Sequence, residues 1–186
     1  MKNLQTSFRA LRTLHTATDL FNQDGFNKVG VDRIIAEAQT SKATFYNAFH
    51  SKERLIERCL IFQKDALKDK VISILYSYNE LMVLDKLKQI YLLHTNLNGL
   101  YYLLFKAIFE IKMLYPIAYR IAIEYRTWLV NEIYKLLLTV KIEASVDDAR
   151  MFLFVVDGGM IQLLSKNQTG EQDKLVGYFL LMMSYR

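Results

Sequence analysis

The segment "SKATFYNAFHSKERLI" (residues 41–56) gathers side chains that can meet a phosphate or a base edge. Lysine and tyrosine suit phosphate oxygens, so Lys42 and Tyr46 are candidates for backbone contacts. Thr44 and Asn47 can hydrogen-bond to base edges. Phe45 and Phe49 lie four residues apart and share one helical face. Turning those rings inward leaves Lys42, Thr44, Tyr46 and Asn47 on the outer and lateral faces. Ala43 is small enough for close approach to a duplex. Lys52 opens the next helix, where backbone N–H groups also favour phosphate.

These residues need elements to hold them. "VDRIIAEA" (residues 31–38) places Val31, Ile34, Ile35 and Ala38 at i, i+3, i+4 and i+7, one face of a helix. After the short break "QTS", the spacing predicts a second helix from Lys42 to Phe49, with Ser41 as its cap. Two short helices joined by a tight turn form a helix-turn-helix pattern, whose second helix fits the major groove. Ahead of it, a helix is expected from about Gln5 to Gln23, with Phe8, Leu11, Leu14, Ala17, Thr18 and Phe21 along one side and Asp24-Gly25 ending it. Ser51 can cap a long helix reaching about Tyr76, with Leu55, Cys59, Phe62 and Ala66 facing inward and Val71 and Leu75 continuing less regularly.

Further helices are read over about Met82–Thr95, Leu100–Met113, Pro116–Val140, a stretch capped by Ser145 and running to Lys166, and about Glu171–Tyr185. The expected fold is all-α, about nine helices. A three-helix N-terminal unit (residues 1–52) carrying the helix-turn-helix would be followed by a larger helical body (residues 53–186).

Composition supports this reading. Of 186 residues 52% are hydrophobic, against one proline and seven glycines, which disfavours disorder and hairpin-rich folds. Nine Lys/Arg face six Asp/Glu over residues 1–58, and fifteen face thirteen over the rest, so the basic excess is denser near the helix-turn-helix. One cysteine and three scattered histidines offer neither an intramolecular disulfide nor a metal constellation, and no cofactor fingerprint is present. No signal-peptide pattern and no membrane-spanning apolar run are seen, so a soluble, cytoplasmic protein without membrane contact is expected.

At the same residues the chain resembles the tetracycline-repressor-like (TetR) family of bacterial transcription regulators. "ATDLFNQDGF" carries the family's alanine, leucine-phenylalanine and glycine-aromatic positions at Ala17, Leu20, Phe21, Gly25 and Phe26. The match continues through "VDRIIAEA" to Ser41, Lys42, Thr44, Tyr46, Phe49, Ser51, Lys52 and Glu53. Departures are Gln39 where glycine is usual, Gly30 where serine or threonine is frequent, and Ala48 where histidine is common. The resemblance implies a homodimer on double-stranded DNA, commonly a repressor, whose helical body holds a small-molecule effector. Candidate DNA-binding residues are Arg33, Thr40, Ser41, Lys42, Thr44, Tyr46, Asn47 and Lys52.

In the body, aromatic side chains with polar tips suit an apolar or aromatic effector. The candidates are Phe62, Tyr101, Phe105, Phe109, Tyr125 and Trp128. A packed core is the competing reading of the same rings, and His94 reads as a satisfied histidine rather than a metal ligand. "FLFVVDGGMIQLL" is apolar nearly all round, which a peripheral helix of a monomer does not tolerate. Phe154, Gly158, Gly159 and Gln162, with Leu175, Phe179 and Met182 of the last helix, are therefore the candidate dimer surface. No P-loop, dinucleotide fingerprint or nucleophile elbow supports an enzyme. A helical small-molecule or lipid carrier without DNA binding is the alternative, and such a carrier has no use for exposed Lys42, Thr44 and Tyr46 together.

Overall fold

The computed structural model describes residues 8–76, 82–140, 143–165 and 176–179. Eight helices are formed among them: α1 (Phe8–Asp24), α2 (Val31–Glu37), α3 (Lys42–Phe49), α4 (Lys52–Tyr76), α5 (Val83–His94), α6 (Tyr101–Glu110), α7 (Pro116–Leu138) and α8 (Val146–Leu164). The all-α expectation is met. Residues 176–179 are also helical, and the remainder of the expected last helix, including Leu175 and Met182, lies outside the described residues. None of the described helices is long and apolar enough to cross a membrane. The chain forms two compact units, one of residues 1–65 and 103–123, the other of residues 66–102 and 124–186.

In the first unit α1 packs on α2 and α3. Its buried face is Ala10, Thr13, Leu14, Ala17, Thr18 and Phe21, a 3.6-residue stripe. Phe8 and Leu11 do not belong to it. Phe8 is 77% exposed on the opposite side of the helix and Leu11 sits at the stripe's edge. The buried stripe of α4 within this unit runs through Leu55, Ile56, Cys59, Leu60 and Gln63. Phe62 is displaced from it, 38% exposed, with its ring edge-on to His15 at 5.2 Å.

The sequence patterns expected α6 to reach Met113. It stops at Glu110, and Met113 and Leu114 are exposed. Pro116 disfavours a helical Tyr115, and it occupies the first position of α7, where its missing N–H costs nothing. The Glu110 carboxylate accepts the Phe26 N–H at 2.9 Å, and Lys106 donates to the Asn22 carbonyl at 3.0 Å. Gly25, at φ +85°, ends α1 beside that carboxylate. A Cβ there would lie 2.7 Å from Glu110 Oε2, so the carboxylate would have to shift, and the positive φ by itself favours glycine.

In the second unit α5 packs on α8. Ser145 caps α8 by accepting the Asp148 N–H at 3.2 Å, and Asp148 accepts the Ser145 N–H in return at 2.8 Å, a complete capping box. Gly159 is where the helices close up: a Cβ there would lie 2.5 Å from the Tyr91 hydroxyl. The interior holds a polar cluster inside an aromatic one. His94 is fully buried, with Nδ1 2.6 Å from the Ile90 carbonyl and Nε2 2.6 Å from the Tyr125 hydroxyl. A carbonyl can only accept, so Nδ1 carries the proton and Nε2 accepts from the tyrosine. Both ring nitrogens are used, as a satisfied core histidine requires.

Burial lowers the His94 pKa from 6.5 to about 4. The unfolded chain therefore takes up a proton below about pH 6.5 and the folded chain only near pH 4, so this residue withdraws stability as pH falls through that window. The loss should reach about 3 kcal/mol, at ~1.4 kcal/mol per pKa unit. Urea titrations of the wild type and His94→Gln at pH 7.5 and 4.5 measure it. The wild type should lose about 2–3 kcal/mol more than the variant on acidification. Parallel losses would mean that His94 does not titrate in this range.

Candidate nucleic-acid interface

The helix-turn-helix is built from α2, residues 38–41 and α3. Gly30 stands at the N-cap of α2 without a side-chain cap, so the first turn relies on Asp32 for favourable charge. The turn is made by Gln39 at φ +46°, with its N–H donating to the Ala36 carbonyl at 3.1 Å and the Thr40 N–H to Ile35 at 3.1 Å. Gln39 thus occupies the left-handed conformation that glycine adopts without strain. Arg12 of α1 donates through Nη2 to the Gln39 carbonyl at 2.8 Å and fastens the turn. Ser41 then caps α3 by accepting the Thr44 N–H at 3.1 Å, and its hydroxyl lies 2.9 Å from that of Thr44.

Phe45 and Phe49 are buried, their ring centroids 5.6 Å apart. Tyr46 stands edge-on to Phe45 at 5.2 Å yet remains 48% exposed. Lys42, Ala43 and Asn47 are exposed and Thr44 is half-buried beside the cap. One rigid face therefore carries a cation, a hydroxyl, a phenol and an amide, with an alanine that lets another surface come close.

The other candidates are placed differently. Lys42 pairs with Asp32 at 2.8 Å, both side chains largely exposed, and that contact raises the lysine pKa. Arg33 is held by Asp24 at 2.6 Å and Glu37 at 2.8 Å. Lys52 is half-buried, its Nζ 5.7 Å from the centre of the Tyr115 ring, and burial lowers its pKa. Ser51 caps α4 by accepting the Arg54 N–H at 3.1 Å. Between α3 and α4, His50 adopts φ +64°, which its residue type did not announce. Arg9 and Arg12 were not singled out from the sequence, because charge on α1 has no motif to mark it.

The six candidate effector residues are not brought together within either unit. Phe62, Phe105 and Phe109 belong to the first, and Phe109 is 68% exposed. Tyr101, Tyr125 and Trp128 adjoin in the second, with ring centroids 5.9 Å apart for the first pair and 5.6 Å for the second. The two tyrosine hydroxyls are satisfied internally, that of Tyr125 by His94. The Tyr101 hydroxyl accepts from Arg126 at 2.5 Å, and Arg126 grips Asp157 through two hydrogen bonds of 2.7 and 2.5 Å. Burial opposes the arginine charge, but the Asp157 contacts raise its pKa overall. Lys68 covers the Trp128 ring at 4.7 Å. Of the candidate dimer residues, Gly159 faces α5 of its own chain, whereas Phe154, Gly158 and Gln162 are exposed. Phe179 shares with Tyr91, Val155 and Gly158 the wall of a groove of about 200 Å³.

Residues 14–59 match the model of the family described as bacterial regulatory proteins, tetR family. Solved structures share the fold over most of the chain. A TetR-family transcriptional regulator from Streptomyces coelicolor has a TM-score of 0.79 at 23% identity, covering 95% of this chain and 87% of that one. A TetR transcriptional regulator from Legionella pneumophila has a TM-score of 0.79 at 19% identity, covering 98% of each. The reduced form of NemR from E. coli has a TM-score of 0.77 at 17% identity, covering 96% of each. A comparison with curated proteins finds no match. The fold is that of tetR-family regulators, and the segment matching the family contains the helix-turn-helix described above.

The strained turn gives a direct test of this geometry. Gln39→Gly should stabilise the chain by about 0.5–1 kcal/mol, because relief of the left-handed penalty exceeds the added chain entropy of glycine. Urea midpoints at neutral pH measure it. A loss of stability would mean that the Gln39 side chain, rather than its backbone, holds the turn.

Proposed function

We propose that this chain is a DNA-binding transcriptional repressor acting as a homodimer on a near-palindromic operator, with α3 in the major groove. The observation that carries the proposal is the outer face of α3. Burial of Phe45 and Phe49 fixes the helix while Lys42, Tyr46 and Asn47 stay exposed and Thr44 half-exposed beside them. Lys42 and Tyr46 are assigned to phosphates and Thr44 and Asn47 to base edges. Thr40 and Ser41 enter through the turn, Ser41 chiefly by setting the first turn of α3. Arg33 and Lys52, already engaged by carboxylates and by a ring, are assigned supporting contacts. No catalytic role is assigned, and the operator places the protein in the cytoplasm.

Dimerisation is assigned to the outer face of α8. Met151 is 51% exposed, Phe154 64% and Ile161 54%, an apolar stripe at helical spacing. Nothing lies within 4 Å of a Cβ built on Gly158, so that position is open to a partner helix. Two such faces related by a two-fold axis would cover each other and set half-sites roughly one helical turn apart, ~34–36 Å.

Selection of bound DNA from a random pool tests the reading. A two-fold motif should be enriched, with affinity falling steeply as salt rises. Thr44→Ala and Asn47→Ala should change base preference within each half-site, at about 1–3 kcal/mol for each base-edge hydrogen bond removed. Phe154→Asp should yield monomers in sedimentation and reduce affinity for the full motif. The absence of an enriched motif, or binding indifferent to salt, would sink the proposal.

The effector is proposed as an apolar or aromatic small molecule bound in the second unit beside Tyr101, Tyr125 and Trp128. Those rings now fill their own space, so entry requires them to move, and such a ligand selects between conformations. No sensing role is assigned to Cys59: it is buried, and burial pushes its thiol up to about 12, which disfavours the reactive thiolate. An aromatic compound set screened by thermal shift should yield ligands that stabilise the wild type and weaken operator binding. Trp128→Ala should lose the shift while keeping unliganded operator affinity. A set without any stabilising compound would favour a constitutive regulator with a solid core.

A further inference from the structure

Beside the turn of the helix-turn-helix lies a cleft of about 470 Å³, lined by Phe8, Arg9, Arg12, Gln39, Thr40 and Ser41. It is formed by the first turns of α1 and by the segment leading into α3, all within the first unit. Its charge differs from that of its surroundings. Lys42 and Arg33 have carboxylate partners, whereas among the described residues neither Arg9 nor Arg12 has one. Arg9 is exposed. Arg12 is half-buried and held in place through Nη2 by the Gln39 carbonyl. Two polar atoms of the lining residues, Arg12 Nε and Thr40 Oγ1, are shielded from water and have no hydrogen-bond partner. Buried polar groups left unpaired are costly, so an acceptor oxygen within their reach would be favoured.

We infer that this cleft binds a backbone phosphate of the duplex that α3 enters. The inference rests on the DNA-binding reading above and deepens it by assigning Arg9 and Arg12 to a second phosphate clamp. Two guanidinium groups suit a phosphate's oxygens better than point-charge ammonium groups do. Arg9 supplies a mobile cation and Arg12 a pre-positioned one. Arg12 then has two roles through different atoms, holding the turn with one nitrogen and facing the anion with the others. The cleft adjoins the N-terminal end of α3, so a phosphate held there would fix how that helix is angled in the groove. It carries no base information, because a phosphate looks the same at every step.

The test is the salt dependence of binding to two duplexes of equal length, one carrying the motif enriched by the wild type and one of random sequence. Arg9→Gln should weaken both by a similar factor and make the log K–log salt slope shallower by roughly one for each phosphate no longer neutralised. Arg9→Lys, which keeps the charge, should restore most of the slope. The enriched motif should be unchanged for either variant. Arg9 is exposed, so unfolding does not confound this variant, and its melting temperature should match that of the wild type. An Arg9→Gln protein that binds both duplexes with the wild-type slope overturns the clamp and leaves the DNA-binding reading intact. A wild type that binds neither duplex overturns both.

Discussion

An eight-residue helix cannot hold itself in water, because nucleation is too costly for so few backbone hydrogen bonds. Helix α3 exists only because Phe45 and Phe49 are buried, and full burial of each ring is worth about 1.5–3 kcal/mol. Much of the first unit follows from that constraint. Helix α1 supplies a stripe that packs on α2 and α3. Ser41 and the left-handed Gln39 fix where α3 begins, and Arg12 pins the turn carbonyl. The polar face of α3 is exposed as a consequence of the apolar face being held.

Local chemistry was easiest to read from the sequence. The limits of α3, its Ser41 cap, the Ser145 cap and the Pro116 start all follow from neighbours within four residues, and all are observed. Long stripes were harder. Along α4 the apolar residues occupy more than one face, since the helix belongs to one unit up to Asp65 and to the other from Ala66. A single inward stripe through Phe62 therefore misplaced that ring. The hydrogen bond of Glu110 with Phe26 joins residues 84 apart in sequence, and no periodicity announces it. Arg9 and Arg12 were missed for a related reason, as their position beside residues 39–41 depends on how α1 packs.

The second unit shows why aromatic density alone does not define a pocket. Tyr101 and Tyr125 are among the largest fully buried side chains, and both hydroxyls are bonded within the unit. Buried hydroxyls need partners, and here His94 and the Arg126–Asp157 pair provide them. Breaking such a network one member at a time is expensive, because the remaining partners stay buried and unpaired. A ligand that entered this region would have to replace those hydrogen bonds as well as the ring packing. Of the proposed apolar or aromatic effectors, that requirement favours an aromatic molecule with a few polar atoms over a plain hydrocarbon.

Two adjacent glycines on α8 face different surroundings. At Gly159 any side chain would collide with Tyr91 and Thr95, so this face is committed to α5. One residue earlier the helix has turned by more than a quarter of its circumference, and at Gly158 the space is open. The face around Gly158 carries Met151, Phe154 and Ile161, large apolar groups in contact with water in the single chain. Leaving such area wet forgoes about 25 cal/mol for every Å² that could be covered. In the proposed dimer a second copy covers it most simply, since an isologous interface uses one patch twice and needs no further element. A glycine at the centre of that patch lets two helices approach closely, while Phe154 and Ile161 on either side supply the area. Mutating Gly159 would consequently disturb the fold of one chain, whereas in the proposed dimer mutating Gly158 would act on the interface between two.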